Sequence, residues 1–313
     1  MTPKPSIVVV GSLNMDFVVR VDRLPASGET VLGRQFQTIP GGKGANQACA
    51  AGRLGRDSAI VKMIGRVGFD PFADHLKASL SAAGVDVSGV HGTRSQPTGV
   101  ALIAVDAAGQ NSIVVAPGAN HELAAADVES MRKNFRGARI ALFQLESPLD
   151  TVAAALKLAR EEGVTTILDP APAQPLPPDM LQSIDILTPN ESEALGLLGL
   201  PSRRIGVNEA APLAKALLKL GPKMVILKLG AEGCYSATLD SENHHAAFPV
   251  DVVDTTAAGD TFNAGLAVAL AEGKDFAAAL RFANAAAAIS VSRAGAQSSA
   301  PSRAEVDEFL RVI

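Results

Sequence analysis

The chain has 313 residues, enough for one large α/β domain with a sizeable core but few for two domains of equal size. Its 28 Lys and Arg stand against 32 Asp and Glu, so the net charge of −4 provides no basic surface and argues against a nucleic-acid partner. Cys49 and Cys234 are the only cysteines, and neither has the spaced Cys or His companions of a zinc site. This usage is typical of a reduced cytosolic protein.

The first apolar segment is "SIVVVG", which begins at Ser6. Its apolar run is too short for a secretory signal or a membrane span, so we predict a buried first strand in a cytoplasmic protein without a membrane partner. "GSLNMD" follows and places Asn14 and Asp16 just beyond the carboxyl end of that strand. Ligands usually bind on this side of an open α/β sheet, although a polar pair alone only suggests a site.

Short runs that are apolar on both faces recur at 58, 138, 164, 184 and 223, and helical patterns lie between them. The predicted fold class is therefore α/β, with a doubly wound, mostly parallel central sheet flanked by helices. Two segments, at about 16–39 and 96–115, have instead the pattern of β-hairpins. We expect them to form a small antiparallel β lid inserted into one domain spanning residues 1–313. The proline-rich "DPAPAQPLPPD" predicts a rigid loop at the sheet edge.

The glycine-rich segment "PGGKGANQACAAG" covers residues 40–52 and precedes a predicted helix. It is not a Walker A loop, because Lys43 is followed by Gly44, and it lacks the G-x-G-x-x-G dinucleotide pattern. The backbone at Gly42 and the side chains of Lys43 and Asn46 are suited to binding the hydroxyl groups of a small polar ligand. A glycine turn with a solvated lysine explains the same pattern equally well.

Two further segments follow predicted strands in the second half of the chain. In "TPNESEA", Glu193 could orient water around Mg²⁺, but an Asn190–Glu193 capping box explains the same spacing. In "LKLGAEGCY", Gly230 and Gly233 would let a nucleotide approach the backbone, and a hairpin turn is the simpler alternative.

The segment "DTTAAGD", residues 254–260, has an acid at each end and small side chains between. Asp260 falls in the first turn of a predicted helix, where Ala257, Ala258 and Gly259 leave backbone N–H groups uncovered. Such a helix start favours an anion, for example a phosphoryl group. The alternative is that Asp260 caps its own helix and that the small residues serve close packing.

Together, "GGKGANQA" and "DTTAAGDTFNAG" resemble the two signatures of the PfkB carbohydrate kinase family, and the resemblance runs from Ile7 to about Leu310. "QLESP", "TPNESEA" and "RFANAAAAISVSRAGAQSS" are most similar to segments of the members that phosphorylate ribose. The resemblance implies ATP-dependent phosphorylation of D-ribose at its primary O5 hydroxyl. Asp260 would be the base, and the amides of residues 257–260 would form an anion hole.

The resemblance also implies which residues hold each ligand. Sugar positions are Asn14, Asp16, Gly42, Lys43, Asn46 and Glu146, together with Asp260. Nucleotide positions are Asn190, Lys228, Leu229, Gly230, Ala231, Glu232, Gly233, Gly259 and Asn284. Lys228 stands where ribose kinases commonly have threonine, and Asn284 where a histidine is familiar, so the sequence departs from the family pattern at both.

Two metals and a second subunit are implied in the same way. Glu193 would organise Mg²⁺ through water. Potassium would lie among Asp254, Thr256, Ser290, Arg293, Gly295 and Ser299. The hairpins would close over the sugar and pair two subunits, which predicts a homodimer through the lid.

Other activities stay open at this point. Another kinase of the family could act on deoxyribose, a nucleoside or a sugar phosphate, although a chain with one Tyr and no Trp offers little surface for stacking a base. A non-catalytic sugar-binding regulator is disfavoured because Asp260, Gly259 and Glu193 are all present. A nicotinamide-dependent oxidoreductase would need the glycine pattern that "VVVGSLNMD" lacks.

Overall fold

The structure is a computed structural model that describes residues 3–312. Strands and helices alternate over most of this range, as the hydrophobic patterns predict. The strands are β1 (Ser6–Val10), β2 (Asn14–Arg20), β3 (Gln35–Gly41), β4 (Ile60–Gly68), β5 (Val85–Thr93), β6 (Gly99–Val105), β7 (Asn111–Ala116), β8 (Ala138–Phe143), β9 (Thr165–Leu168), β10 (Ile186–Leu187), β11 (Met224–Lys228), β12 (Cys234–Ala237) and β13 (Glu242–His245).

The helices complete the layers on either side. They are α1 (Lys43–Leu54), α2 (Pro71–Ala82), α3 (Ala125–Ser130), α4 (Leu149–Glu161), α5 (Pro178–Leu181), α6 (Glu191–Leu197), α7 (Val207–Leu218), α8 (Ala258–Ala271), α9 (Phe276–Val291) and α10 (Arg303–Val312). Short 3₁₀ turns lie at Gly118–Glu122, Arg132–Asn134 and Gly230–Glu232.

The central sheet has nine strands in the order β13-β12-β11-β10-β9-β8-β1-β4-β5. Strands β11 to β5 in this order pair in parallel, and β12 and β13 add an antiparallel edge. This confirms the doubly wound, mostly parallel sheet predicted from the sequence. The strands that the sequence did not predict are β5 and β13, which are the two edge strands, and β12, which pairs with β13. The edge strands β5 and β13 have exposed residues and so lack the two-sided apolar pattern, whereas β12 is fully buried but only four residues long.

The core lies on both faces of this sheet, which explains why its strands are apolar throughout. In β1, Ile7 and Val9 pack into the cluster formed with α1, α8 and α9, whereas Val8 and Val10 pack into the cluster formed with α4 and α7. Helices α8 and α9 cross closely, because a Cβ added at Gly265 would lie 3.1 Å from the Cα of Ala283. Within residues 3–312 we find no helix that is both long and apolar enough to span a membrane.

The small second sheet has the order β3-β2-β6-β7. The pairs β2–β3 and β6–β7 are antiparallel and correspond to the hairpins predicted at about 16–39 and 96–115. The two hairpins are joined through β2 and β6, which pair in parallel. Strand β2 starts at Asn14, beside the carboxyl end of β1, and β3 ends at Gly41, just before α1. The lid is therefore connected directly to the carboxyl ends of the central strands, where ligands bind in such folds.

Candidate active site

The candidate site centres on the carboxylate of Asp260, in the first turn of α8. The residue is only 5% exposed. Its Oδ1 accepts a hydrogen bond from Nε2 of Gln47 at 3.0 Å, and its Oδ2 accepts one from Nδ2 of Asn46 at 3.2 Å. Both donors lie in the first turns of α1. The structure thus brings together the two segments in which the sequence signals were strongest, although they are more than 200 residues apart in the chain.

The electrostatic surroundings of Asp260 make it a better base than a solvated aspartate. Burial raises its pKa to about 6, the ammonium of Lys43 opposes that rise, and the nearby carboxylate of Asp169 adds to it. A carboxylate with this pKa is ionised at neutral pH and takes up a proton more readily than one with an ordinary pKa.

The start of α8 presents uncovered backbone donors. Ala257 has a left-handed conformation (φ 58°), which is uncommon for a residue with a side chain. The N–H of Ala258 is used, because it donates to the Thr255 carbonyl at 3.2 Å. The N–H groups of Ala257, Gly259 and Asp260 have no acceptor among the described residues. Since the Asp260 carboxylate is held by α1, it does not cap its own helix, and the capping alternative is wrong.

Asn14 and Asp16 lie opposite the glycines of the β3–α1 junction. A Cβ at Gly41 would collide with the Asp16 carboxylate. Gly42 has φ 88°, and a Cβ there would lie 2.7 Å from the Asn14 backbone nitrogen. Close approach thus requires both glycines, and the positive φ of Gly42 favours glycine there as well. Asn14 Oδ1 accepts a hydrogen bond from Nδ2 of Asn120 at 2.7 Å, which fixes its side chain.

Acceptors dominate this side of the site. Glu146 Oε2 accepts from the backbone N–H of Lys43 at 3.0 Å and from Oγ of Ser12 at 2.5 Å. Burial, with repulsion from Glu146 and Asp260, raises the pKa of Asp16 to about 7. Burial lowers the pKa of the Lys43 ammonium, but Asp260, Asp169 and Glu146 outweigh it and keep the net shift upward, so Lys43 stays charged.

Two buried oxygens on this side lack a donor. Asn46 Oδ1 and Gln144 Oε1 have no hydrogen-bond partner within residues 3–312. Buried polar atoms are almost always paired, so these oxygens indicate a place where a bound molecule supplies hydrogen-bond donors. Together with the carboxylates, they suit a ligand rich in hydroxyl groups.

The capping box at Asn190 and Glu193 is present. Asn190 Oδ1 accepts from the N–H of Glu193 at 2.8 Å, and the Glu193 carboxylate accepts from the backbone N–H and the Nδ2 of Asn190 at 2.7 and 2.8 Å. Burial raises the pKa of Glu193, Lys228 lowers it, and Asp169 raises it. The spacing of Asn190 and Glu193 is therefore explained by capping of α6, and any contact of Glu193 with a metal would be a second role.

The segment 228–233 forms the connection of an antiparallel hairpin between β11 and β12, as in the simpler of the two interpretations. The Leu229 N–H donates to the Gly233 carbonyl at 2.8 Å, and the side chain of Leu229 is buried. Gly230, Ala231 and Glu232 form the 3₁₀ turn. Asn284, on α9, approaches the adjoining strands, where its Nδ2 lies 3.5 Å from the carbonyl of His245 and 3.8 Å from Sγ of Cys234.

The predicted potassium residues fall in two loops that the structure joins. Asp254 Oδ1 accepts from the N–H and Oγ1 of Thr256 at 2.9 and 2.7 Å, and its Oδ2 accepts from the N–H of Gly295 at 2.9 Å. Ser290 and Ser299 are buried, and each hydroxyl donates to a backbone carbonyl at 2.8 Å. The guanidinium of Arg293 pairs with Glu305. Because a guanidinium is itself a cation, only the backbone carbonyl of Arg293 could contact potassium.

Three polar residues of the site were not predicted from the sequence. Asp169 Oδ1 accepts from Nζ of Lys228 at 2.9 Å, and its Oδ2 accepts from Nε2 of Gln47 at 3.2 Å. Gln144 Nε2 donates to Oε1 of Gln47 at 2.7 Å, which fixes the orientation of that amide. Asp169 directly follows β9, so the rule applied to Asn14 could have found it. Lys228 is almost buried here, not directed into solvent.

A model of the pfkB family of carbohydrate kinases matches residues 4–303. The ribokinase of Bacillus subtilis is 43% identical over 305 residues, which cover 97% of this chain and 99% of that relative. The deoxyribokinase of Salmonella typhi is 35% identical over 305 residues, covering 97% and 98%. The solved structure of Arabidopsis thaliana ribokinase complexed with ribose and ATP is 37% identical, with a TM-score of 0.91 and coverage of 99% of each chain.

Proposed function

Because the chain belongs to the pfkB family of carbohydrate kinases, we propose that it transfers the γ-phosphoryl group of ATP to the primary O5 hydroxyl of D-ribose, giving ribose 5-phosphate. The observation that carries this proposal is the position of Asp260. Asp260 lies in the turn of α8 that has the uncovered amides, and its carboxylate contacts the hydroxyl-binding groups of α1. One carboxylate thus lies between a phosphate site and a sugar site.

The chemistry follows from this placement. The O5 oxygen forms a bond to the γ-phosphorus, the bond from that phosphorus to the β,γ-bridging oxygen breaks, and its electron pair leaves with ADP. The O5 proton passes to Asp260. Since the nucleophile loses its proton late in a loose transition state, the alignment of Asp260 matters more than its basicity. The amides of Ala257, Gly259 and Asp260 stabilise the charge on the transferred group.

The sugar is bound by hydrogen-bond acceptors of the site, to which its hydroxyl groups donate. Asp16 and Asn14, on β2, bind hydroxyl groups of the sugar, and the unpaired Oδ1 of Asn46, on α1, binds another. Lys43 donates to a ring or hydroxyl oxygen and balances the carboxylates. Gly42 and Glu146 complete the sugar site, since Glu146 fixes the Lys43 backbone. Buried hydrogen bonds of this type reject a sugar that lacks the matching hydroxyl, which favours ribose over deoxyribose.

The nucleotide lies along the carboxyl ends of β10 and β11. The bends at Gly230 and Gly233 let ATP approach the backbone, and Gly259 presents its backbone beside α8 without a side chain. The positions assigned to this half of the site are Asn190, Lys228, Leu229, Gly230, Ala231, Glu232, Gly233, Gly259 and Asn284. Leu229 contributes through its backbone, because its side chain is in the core.

The chemistry of the donor sets fits both metals. No group of three or more His, Cys, Asp or Glu side chains in the described chain is arranged to hold an ion, so Mg²⁺ would be carried mainly by the phosphates, with Glu193 contributing through water. Potassium would be held by oxygens of the joined 254–256 and 290–299 loops. Their residues are Asp254, Thr256, Ser290, Arg293, Gly295 and Ser299. A bound cation supplies charge next to the anion site and stiffens the loop.

An ADP-release assay across ribose, deoxyribose, fructose phosphates and nucleosides tests the proposal, run in sodium and in potassium. We expect ribose to give the highest kcat/KM and potassium to stimulate turnover. A strong preference for a nucleoside would overturn the substrate assignment. Preference for deoxyribose would support the alternative raised by the similarity to a deoxyribokinase.

The rate should depend on pH through Asp260 and Asp16, whose pKa values are about 6 and about 7. Both must be ionised in the free enzyme, so log kcat/KM should fall with slope one between pH 7 and 6 and with slope two below pH 6. The measurement is kcat/KM for ribose from pH 5 to 8. A flat profile down to pH 5 would show that neither carboxylate controls the rate through a raised pKa.

The lid also supports a homodimer. Leu102 and Val114 lie opposite each other across β6 and β7 and are 55% and 63% exposed, and Phe36 on β3 is 65% exposed. A contiguous apolar surface of this kind is typical of an interaction site, and we propose that a second copy of the chain covers it. The free, buried state of both cysteines fits a cytoplasmic location, which we also propose.

A charge placed in the lid should break this dimer. Val114→Lys puts an ammonium into the apolar face, so we expect light scattering after gel filtration to show a monomer where the parent chain shows a dimer. The matched control is Leu239→Lys, an apolar residue 89% exposed at the β12–β13 turn, which should leave the mass unchanged. A Val114→Lys chain that keeps the mass of the parent dimer would exclude this face as the interface.

A further inference from the structure

A buried ion pair lies directly beside the start of α8. Lys228 Nζ donates to Asp169 Oδ1 at 2.9 Å, and the two side chains are 13% and 3% exposed. Lys228 is the last residue of β11 and Asp169 directly follows β9, so both lie at the carboxyl ends of the parallel strands, where the site is.

The ammonium is close to the proposed anion hole. A Cβ added at Gly259 would lie 3.1 Å from Lys228 Nζ, so the absence of a side chain lets the ammonium lie close to the backbone of this turn. The N–H groups of Gly259 and Asp260 in the same turn have no acceptor among the described residues. A full positive charge and uncovered peptide donors therefore meet at one place.

The fold alone gives little reason for this pair. Removing two charges from water costs free energy that a buried ion pair often fails to recover, so a pair of apolar side chains would serve stability at least as well. An ammonium has three donors, and among the described residues Nζ hydrogen-bonds only to Asp169. The remaining donors are free for a ligand.

The pair is also connected to the base. Gln47 Nε2 donates both to Asp169 Oδ2 at 3.2 Å and to Asp260 Oδ1 at 3.0 Å. One amide group therefore fixes the carboxylate that holds Lys228 and the carboxylate that accepts the proton. Gln144 fixes the orientation of that amide.

We propose that Lys228 is a catalytic residue that donates from its ammonium to the γ-phosphoryl group during transfer, and that Asp169 is its positioning residue. This inference rests on the kinase function proposed above. Lys228 loses no proton and forms no covalent bond, and its charge offsets the negative charge spread over the equatorial oxygens of the phosphoryl group. The other atoms move as described, with the O5 proton going to Asp260 and the bridging electron pair to ADP.

The test compares the parent chain with Lys228→Met and with the double variant Lys228→Met/Asp169→Asn. The double variant removes the unpaired carboxylate that Lys228→Met leaves in the interior. We expect kcat to fall about 10²–10³-fold in both, as for the loss of one donor to a transition-state oxyanion. The Kd of ribose should stay within about twofold, and the double variant should regain the thermal stability that the single one loses.

Nucleotide affinity separates a γ-phosphoryl contact from a general effect. The parent chain and Lys228→Met are titrated calorimetrically with MgADP and with the β,γ-imido analogue of MgATP. We expect the substitution to weaken binding of the analogue by about tenfold or more and to leave binding of MgADP unchanged. Lys219→Met, at an exposed lysine after α7, is the matched control and should change neither value.

Recovery of parental kcat in the double variant, or equal losses for the two nucleotides, would overturn the role of Lys228. If the parent chain phosphorylated no sugar at all, the kinase proposal would fail. The comparison of the two nucleotides would still decide whether Lys228 contacts the terminal phosphate.

Discussion

Replacing Asp260 with asparagine should lower kcat for ribose phosphorylation by about 10²–10⁴-fold, the range for loss of a general base. Asparagine has nearly the same size, but it cannot take the O5 proton. In the parent chain the side chains of Asn46 and Gln47 each donate to the carboxylate. The NH₂ group of the new asparagine would face one of these two donors, so one of the hydrogen bonds is lost. Because the donors at the start of α8 are backbone groups, ATP should still bind. The measurement is kcat together with the Kd of ribose and of a non-hydrolysable ATP analogue.

The matched control for this variant is Asp57→Asn, at an exposed aspartate that lies before β4. It should keep parental kcat. An Asp260→Asn chain with a kcat within about threefold of the parent would show that another group receives the proton or that none is needed. The assignment of Asp260 as base would then be wrong even if the chain phosphorylates ribose.

Replacing Asp16 with asparagine should raise the KM for ribose on the order of 10²-fold, because a hydrogen bond to a buried charged acceptor is lost. The effect should appear mainly in KM, since in the proposed sugar site Asp16 contacts hydroxyl groups away from the reacting oxygen. Steady-state kinetics with ribose as the varied substrate measure it. Asp22→Asn is the control, because Asp22 is an exposed lid residue paired with Arg34. Unchanged KM in the Asp16 variant would remove this residue from the sugar site.

The same substitution should stabilise the protein in alkaline solution. The folded-state pKa of Asp16 is about 7, raised from its ordinary value of 3.8, so its protonated form favours folding in acid and this contribution is lost as the pH rises through 7. At pH 8 the ionised carboxylate therefore costs folding free energy, and asparagine should recover about 1–3 kcal/mol. We expect a higher Tm for Asp16→Asn at pH 8 and little difference at pH 4. A lower Tm at pH 8 would contradict this origin of the pKa shift.

The sequence was informative wherever structure depends on local pattern. Strands such as β1 and β11 are apolar on both faces because helices cover both sides of them, and this pattern is visible in the residue order. Strand β13, with the sequence "ENHH", lies at a sheet edge with exposed polar side chains, so no comparable pattern marks it.

The site divides in the same way. Asp260 and Asn14 could be predicted as site residues because each lies at the end of a strand or the start of a helix, where backbone groups are available to a ligand. Gln47 was missed because its role consists of contacts with Asp169 and Asp260, which are 122 and 213 positions away in the chain. Lys228 was assigned to the nucleotide positions only by the family resemblance, and its contact with Asp169 was missed for the same reason, since only the folded chain places its ammonium against Asp169 and Gly259.

Strand β2 has a consequence that reaches beyond one subunit. Its first residues, Asn14 to Asp16, belong to the proposed sugar site, and the whole strand pairs with β6, which carries Leu102 on the apolar lid face. In the proposed dimer, occupancy of the site and the strength of association are then thermodynamically reciprocal. Any factor by which ribose tightens the contact between two chains is the same factor by which that contact tightens ribose, so apparent affinity for the sugar should grow with protein concentration.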